Sequence, residues 1–487
     1  MSYRARLLLT FALVVALAST AAACTTDSSR PAAVSGAAGS RPNIVLVLTD
    51  DLSMNLLQYL PHVQDMARNG TSFANYTVTD SLCCPSRSSL FTGMLPHDTG
   101  VFTNGGVDGG YGAFHGRGDD KSTYATTLQQ AGYRTAMMGK YLNGYDPKTN
   151  GVPPGWNEWD VAGNGYGEFN YDLNENGTIK HYGKAPEDYL VDVMAGKAAQ
   201  FVTDTAAAHT PFAIELATFA PHGPYTPAPR DADAFPGLTA PRGPAFDTLP
   251  SSAPPWLASR TPLTDKEKKA IDKAFRKRAQ AVQSVDKMIG TVQDALDKAG
   301  VRGSTDIVFT SDNGYHMGEY RLTPGKQTAF DTDVHVPLVV AGPGIPAGVT
   351  VNQPVENIDL RPTFEALAGA PTPAQVDGES LVPLLTGATP GAWRTVGLVE
   401  HHGPDFDKTD PDKPKKNSGN PSTYEAIRSA TYTYVEYTDG TKEYYDRGTD
   451  PQELHNTAAQ LPPDTAKQLH DTLQAMISCH GATACRH

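Results

Sequence analysis

Cysteine is scarce in this chain, at five residues in 487, and no cysteine and histidine cluster stands at zinc-site spacing, which excludes a zinc module. Positive charge is also in short supply. Lys and Arg number 40 against 53 Asp and Glu, and the formal net charge of −13 excludes a nucleic-acid binder. Apolar runs of membrane-spanning length are missing, since the run from Leu7 to Ala18 is too short to cross a bilayer. Internal repeats and coiled-coil heptads are absent as well. What is there, 39% hydrophobic and 19% charged residues over 487 positions, suits a large α/β domain with a smaller one attached.

Arg4 and Arg6 ahead of the apolar run make residues 1–24 read as a signal peptide. Ala21-Ala22-Ala23-Cys24 resembles a bacterial lipobox, in which Cys24 becomes the lipidated N-terminus, and simple secretion is the alternative. Either way the mature protein is exported, as a cell-surface lipoprotein or a secreted protein, and touches membrane only through a lipid anchor. Residues 25–42, rich in Ser, Gly, Ala and Pro, form a flexible linker. Cys479 and Cys485 bracket a short loop and are expected to pair as a disulfide, which an exported protein can keep. Cys84 is expected to be a small buried residue.

Chemistry is concentrated at the ends of apolar runs. Asn43 to Leu48 reads as a buried central strand and ends in Thr49-Asp50-Asp51. Asp306 to Thr310 is a second and ends in Ser311-Asp312-Asn313-Gly314. Phe212 to Ala217 is a third, running into Pro221-His222-Gly223-Pro224, and Arg134 to Met138 a fourth, delivering Gly139-Lys140. A fifth, Val336 to Val340, comes after Lys326. In open α/β sheets ligands bind beyond the carboxyl ends of the strands, so these residues are expected to share one cleft. Asp50, Asp51, Asp312 and Asn313 offer only oxygens, which suits Ca²⁺, with Mg²⁺ the alternative. An isolated Asp pair would read as a turn or helix cap. Clustered carboxylates at two strand ends favour a cation between them.

Cys83-Cys84-Pro85-Ser86-Arg87, with Leu90, Thr92 and Gly93 behind it, is the most specific motif. Pro85 suits a first helical position, so Cys83 is expected at a helix N-terminus, where backbone N–H groups favour an anion. Arg87, about a turn further in, can reach the same oxyanion. A structural cysteine pair or vicinal disulfide is the plainer alternative.

Cys-x-Pro-Ser-Arg-x-x-Leu-x-Thr-Gly resembles the signature of type I sulfatases in the alkaline phosphatase superfamily, in register with Cys83. Matches at Gly139-Lys140-Tyr141, Pro221-His222-Gly223-Pro224, Thr310 to His316, Gly325-Lys326 and Asp377 to Leu381 extend the resemblance from Asn43 to the C-terminus. The Cys-Cys-Pro-Ser-Arg variant, Gly-Lys-Tyr-Leu-Asn and the Cys479/Cys485 loop are most similar to N-acetylglucosamine-6-sulfatases. The resemblance implies an α/β mixed-sheet sandwich domain with a smaller C-terminal α+β subdomain. It implies formylglycine at Cys83, made by a formylglycine-generating enzyme, with Asp50, Asp51, Cys83, Asp312 and Asn313 around calcium. It also implies that a gem-diol oxygen attacks sulfur, that Arg87, Lys140, His222 and Lys326 neutralise the sulfuryl group, and that His222 or Lys326 protonates the leaving oxygen. Many members carry His where this chain has Leu142, so the base for the second hydroxyl is unassigned.

Residues 43–385 read as the catalytic domain and residues 395–487 as the C-terminal subdomain. The segment Asp265 to Lys298 predicts a long amphipathic helix. Thr431 to Tyr445 predicts a hairpin, and about Pro463 to Ile477 a final helix. His401 and His402 are expected to face substrate, a sulfated carbohydrate or aryl sulfate. A phosphodiesterase or phosphonate monoester hydrolase is the near alternative, and a non-catalytic sulfoglycan-binding lipoprotein the distant one.

Overall fold

The run Asn43–Thr49 carries no polar side chain between its ends, and it becomes strand β1, buried along its whole length. Val45 and Val47 enter the core on one face, and Ile44, Leu46 and Leu48 enter the core on the other. A strand apolar on both faces must be covered on both, and this is the condition for a parallel sheet. The computed structural model describes residues 41–487 apart from 389, 406 and 409. The signal peptide, the lipobox with Cys24, and residues 25–40 of the linker lie outside the described residues.

Nine further strands join β1: β2 (Thr71–Thr77), β3 (Arg134–Lys140), β4 (Glu158–Ala162), β5 (Tyr171–Glu175), β6 (Thr178–Tyr182), β7 (Phe212–Ala217), β8 (Thr305–Ser311), β9 (Leu338–Ala341) and β10 (Val349–Glu356). Their order is β10-β2-β9-β8-β1-β7-β3-β4-β5-β6. The centre, β8-β1-β7-β3-β4, is parallel throughout. β9 runs antiparallel between β8 and β2, and β5 and β6 are antiparallel at the other end. The helices Leu190–Ala207 and Asp265–Lys298 contribute Val191, Met194, Ile271, Phe275 and Val285 to the core on the Val45 face. Thr264 caps the longer helix, whose bounds match the periodic apolar pattern.

Helix Cys83–Thr92 lies in the core on the other face, every residue buried. It starts two residues earlier than Pro85 predicts. Leu82 is the extended cap, and Ser86 N–H donates to Leu82 O at 3.1 Å. Pro85 falls at the third helical position, where its missing N–H still needs no intrahelical partner. Gly93 ends the helix at φ +65, and a Cβ there would stand 2.8 Å from Val376 Cγ1.

A second, antiparallel sheet runs β11 (Val396–His401), β12 (Tyr424–Ser429), β13 (Tyr432–Tyr437) and β14 (Lys442–Asp446). Helix Pro463–Met476 packs Leu469 and Leu473 against its Leu398, Ile427 and Tyr434. The Cys479–Cys485 disulfide comes after that helix. Among the described residues no helix is long and apolar enough to cross a membrane.

One half-buried imidazole ties these parts together. His97 Nδ1 pairs with Glu400 Oε2 of β11 at 2.9 Å, and its Nε2 meets Cys479 O at 2.9 Å. Burial opposes its charge, but Glu400 and the carbonyl overcome that and raise its pKa from 6.5 to about 9. A raised folded pKa stabilises fully below the unfolded value near 6.5 and is lost as pH climbs towards 9. Replacing His97 by Gln should therefore remove about 1–2 kcal/mol of the stability that the wild type loses across that window. Urea unfolding at both ends of the window measures the difference, and identical pH slopes in the two proteins would refute it.

Candidate active site

Because β8, β1, β7 and β3 are neighbours and parallel, their carboxyl ends open on one edge of the sheet. Asp50 and Asp51 come after β1, Asp312 and Asn313 come after β8, Lys140 is the last residue of β3, and His222 lies five residues past β7. Helix Cys83–Thr92 brings Cys83 and Arg87 to the same point. All are buried: Asp50, Cys83, Arg87 and Asn313 at 0%, and His222 the most open at 8%.

Cys83 Sγ sits 3.1 Å from Asp50 Oδ1 and 2.9 Å from Lys326 Nζ. Ligand atoms of Asp50, Asp51, Cys83 and Asp312 all lie within 4.8 Å of one another. Asn313 donates through Nδ2 to Asp51 Oδ1 at 2.7 Å, while its Oδ1 is buried without a hydrogen-bond partner. That orphan acceptor, beside a cluster of carboxylate oxygens, fits a hard cation. Asp51 occupies the left-handed region at φ 64, and buried Arg278 donates to its carbonyl. Backbone held this way stores strain at a working position.

Cations interleave with the carboxylates. Arg87 donates to Asp312 Oδ2 at 2.8 Å and to Lys140 O at 2.9 Å. Lys140 Nζ meets Asp50 Oδ2 at 2.5 Å, and Lys326 Nζ meets Asp51 Oδ1 at 2.7 Å. Burial opposes the charge on both lysines, yet Asp50 on Lys140, and Asp412 and Asp51 on Lys326, hold them well above the usual range. Burial works against Asp312 too, but Arg87, Lys140 and Lys326 keep it ionised and its pKa low. Asp50 is left high by burial and by Asp312, a carboxylate short of positive charge. Burial and the surrounding carboxylates of Asp312, Asp412 and Asp50 push the Cys83 thiol well up.

The structure thus brings Asp50, Asp51, Cys83, Arg87, Lys140, His222, Asp312, Asn313 and Lys326 together. It does not bring His401 there. His401 is fully enclosed, 3.3 Å from Asp80 Oδ1 and packed on Tyr424, because the last residue of β11 points into the protein. His402 reaches an adjacent pocket, paired with Asp108 at 3.1 Å and stacked on Phe102 at 3.8 Å. Leu142, the position where the family resemblance leads one to expect His, is buried and apolar. Cys84 is buried as a free thiol, with no vicinal disulfide to Cys83.

Sequence reasoning missed three residues. Tyr166 lies under Lys140 Nζ, 5.0 Å from its ring, and 4.6 Å from the His222 ring. Asn104 accepts from Cys84 N–H at 2.9 Å. Asp412 pairs with His222 Nε2 at 2.5 Å and Lys326 Nζ at 3.0 Å. None belongs to a motif, and although Tyr166 lies four residues past β4, that strand was not among those read from the sequence, so pattern alone carried no signal for them.

Comparison with known proteins gives the family. The Sulfatase family model matches residues 42–370, and the model for the N-sulphoglucosamine sulphohydrolase C-terminal region matches residues 318–478. N-acetylglucosamine-6-sulfatase of Homo sapiens is 35% identical over 92% of this chain and 87% of its own length. A solved structure of a protein in complex with its substrate D-glucosamine-2-N,6-O-disulfate shares the fold, with TM-score 0.74, 23% identity, and 89% of this chain and 97% of that one covered. The phosphonate monoester hydrolase of Agrobacterium radiobacter also shares it, with TM-score 0.68, 22% identity, and 90% and 95% covered. Resting on the family model and a relative matched over nearly its whole length, the conclusion is that this chain belongs to the sulfatase family and is a sulfuric ester hydrolase.

Proposed function

We propose that this enzyme hydrolyses sulfate esters on sugars, 6-sulfated N-acetylglucosamine among them, using formylglycine made from Cys83 and a calcium ion held by Asp50, Asp51, Asp312 and Asn313. The observation that carries this reading is the position of Cys83. Its sulfur is buried between Asp50 and Lys326, inside the acidic cluster, with its thiol driven towards the protonated form. A protonated thiol is a poor nucleophile, so an unmodified cysteine is ill suited to attack here. Formylglycine would supply a hydrated aldehyde with a second hydroxyl for product release, and calcium would supply Lewis-acid polarisation of the sulfate oxygens.

The remaining work falls to this chain's side chains. Lys140 and Lys326, kept charged by their carboxylates, neutralise charge on the transferring sulfuryl group. Arg87 anchors Asp312 and closes the helix end of the site. Burial opposes charge on His222, but Asp412, Asp51 and Asp50 raise its pKa to about 9, which favours an imidazolium with a proton to give to the leaving oxygen. His222 Nδ1 donates to Gly223 O at 2.7 Å, leaving Nε2 as the atom that faces the cleft. The N-acetylglucosamine-6-sulfatase relative supports the choice of sugar. Export is supported by the Cys479–Cys485 disulfide, and the sequence leader supplies the route.

Two measurements test this reading. On matched aryl sulfate and aryl phosphate, kcat/KM should favour the sulfate by at least about tenfold; faster phosphate turnover would assign the protein to the phosphoester and phosphonate branch. Calcium should raise the melting temperature of the wild type by several degrees, since a ligand at about 100 times its Kd adds about 2.7 kcal/mol. Asp51→Asn should abolish that response. An equal calcium shift in the variant would remove Asp51 from the metal site.

A further inference from the structure

Residues 410–418, between β11 and β12, lie across the mouth of the site. A cavity of about 200 Å³ there is lined by His222, Tyr225, Tyr315 and Lys326 together with Asp412 and Lys415 of this segment. Asp412 does not line this strap as a solvated acid. Its side chain is 2% exposed and points inward.

The donors it meets are those that a sulfate needs. His222 Nδ1 is committed to Gly223 O at 2.7 Å, and its Nε2 to Asp412 Oδ1 at 2.5 Å. Both ring nitrogens are therefore spent. Lys326 Nζ has three protons, and three acceptors surround it: Asp51 Oδ1 at 2.7 Å, Cys83 Sγ at 2.9 Å and Asp412 Oδ1 at 3.0 Å. One carboxylate oxygen thus takes a bond from each of two cations, next to the reacting position. The other oxygen, Oδ2, accepts from Asn104 Nδ2 at 2.8 Å, and Asn104 in turn holds Cys84 N–H at the start of the catalytic helix. Although burial opposes it, Lys326 and His222 keep the Asp412 carboxyl well below the usual range. An anionic seat so completely filled cannot give a bond to substrate oxygens until its occupant moves.

We propose that Asp412 is an internal stand-in for the substrate's sulfate, so that the 410–418 strap closes the anion seat on itself and a sulfated substrate binds by displacing this carboxylate. The inference rests on reading His222 and Lys326 as the sulfate-binding pair. The two ends of the strap are held differently. Its far end is pinned, with Thr323 N–H donating to Asn417 O at 2.9 Å and His316 Nε2 meeting Ser418 O at 2.9 Å. Its near end turns on itself, with Asp412 N–H donating to Asp410 Oδ1 at 2.8 Å. Displacement exchanges one anion for another on the same donors, so the cations are never left bare.

The test uses Asp412→Asn, which keeps the size and removes the charge. Titration calorimetry of inorganic sulfate into full-length protein with Cys83 unconverted reads the seat without turnover. A seat closed nine-tenths of the time weakens sulfate binding about tenfold, so the variant should bind sulfate about tenfold tighter. In the mature enzyme its KM for an aryl sulfate should fall by a similar factor. Asp410→Ala removes the acceptor of Asp412 N–H and a 3.2 Å contact to Asn104 while leaving His222 and Lys326 intact, and should tighten sulfate binding in the same direction, which keeps the test alive if Asp412→Asn folds poorly. Sulfate binding unchanged or weakened in folded variants would overturn the proposal. So would a fall in kcat at constant KM, since that would make Asp412 a positioning residue for His222. A wild type without sulfatase turnover would instead refute the proposed function, while the sulfate affinities would still decide the role of Asp412.

Discussion

The structure depends on a crowd of like charges kept out of water. Asp50, Asp51 and Asp312 leave two adjacent parallel strands at the same edge, and all are essentially unexposed. Buried carboxylates repel one another and lose hydration, a cost that only opposite charge and hydrogen bonds offset. Arg87, Lys140 and Lys326 supply part of it, each from a different segment of the chain. The raised Asp50 and the unpartnered Asn313 Oδ1 mark what those side chains leave unmet. A divalent cation between them would meet both needs at once. Binding of such a cation and folding of this edge would in that sense be a single problem.

The parallel centre of the sheet explains why these segments meet. Four strands that point the same way deliver their carboxyl ends together, and the helix carrying Cys83 packs under them on one face. The antiparallel sheet contributes differently. It presents Asp412 from the loop between β11 and β12, and it is tied back to the catalytic helix region by His97, Glu400 and the disulfide loop. The first sheet builds the charge cluster, and the second supplies the strap that covers it.

Much of this was legible in the sequence because the relevant signals are local. Apolar runs such as Ile44 to Leu48, and Phe212 to Ala217 with Glu215 as its one polar residue, read as strands covered on both faces, and the residues just past them lie on the ligand edge. The apolar period of Asp265–Lys298 marked that helix end to end. The Cys-x-Pro-Ser-Arg motif singled out Cys83, which lies in the acidic cluster, although Pro85 misplaced the helix start by two positions. Asp412 was not legible. It sits in a loop of Asp, Pro and Lys with no periodicity, far along the chain from the strands that build the cluster, and only tertiary packing sets it against His222. His401 was misread for a related reason: adjacent residues at a strand end face opposite ways, and composition does not say which faces in.

The central claim is that position 83 is no longer a cysteine in the working enzyme. The direct measurement is the mass of the tryptic peptide spanning residue 83, from protein made in its native host and shown to be active. The account predicts a peptide lighter than the thiol form by the difference between cysteine and formylglycine, with fragmentation placing the change at residue 83. An intact thiol at that position in protein that still turns over sulfate esters would contradict it.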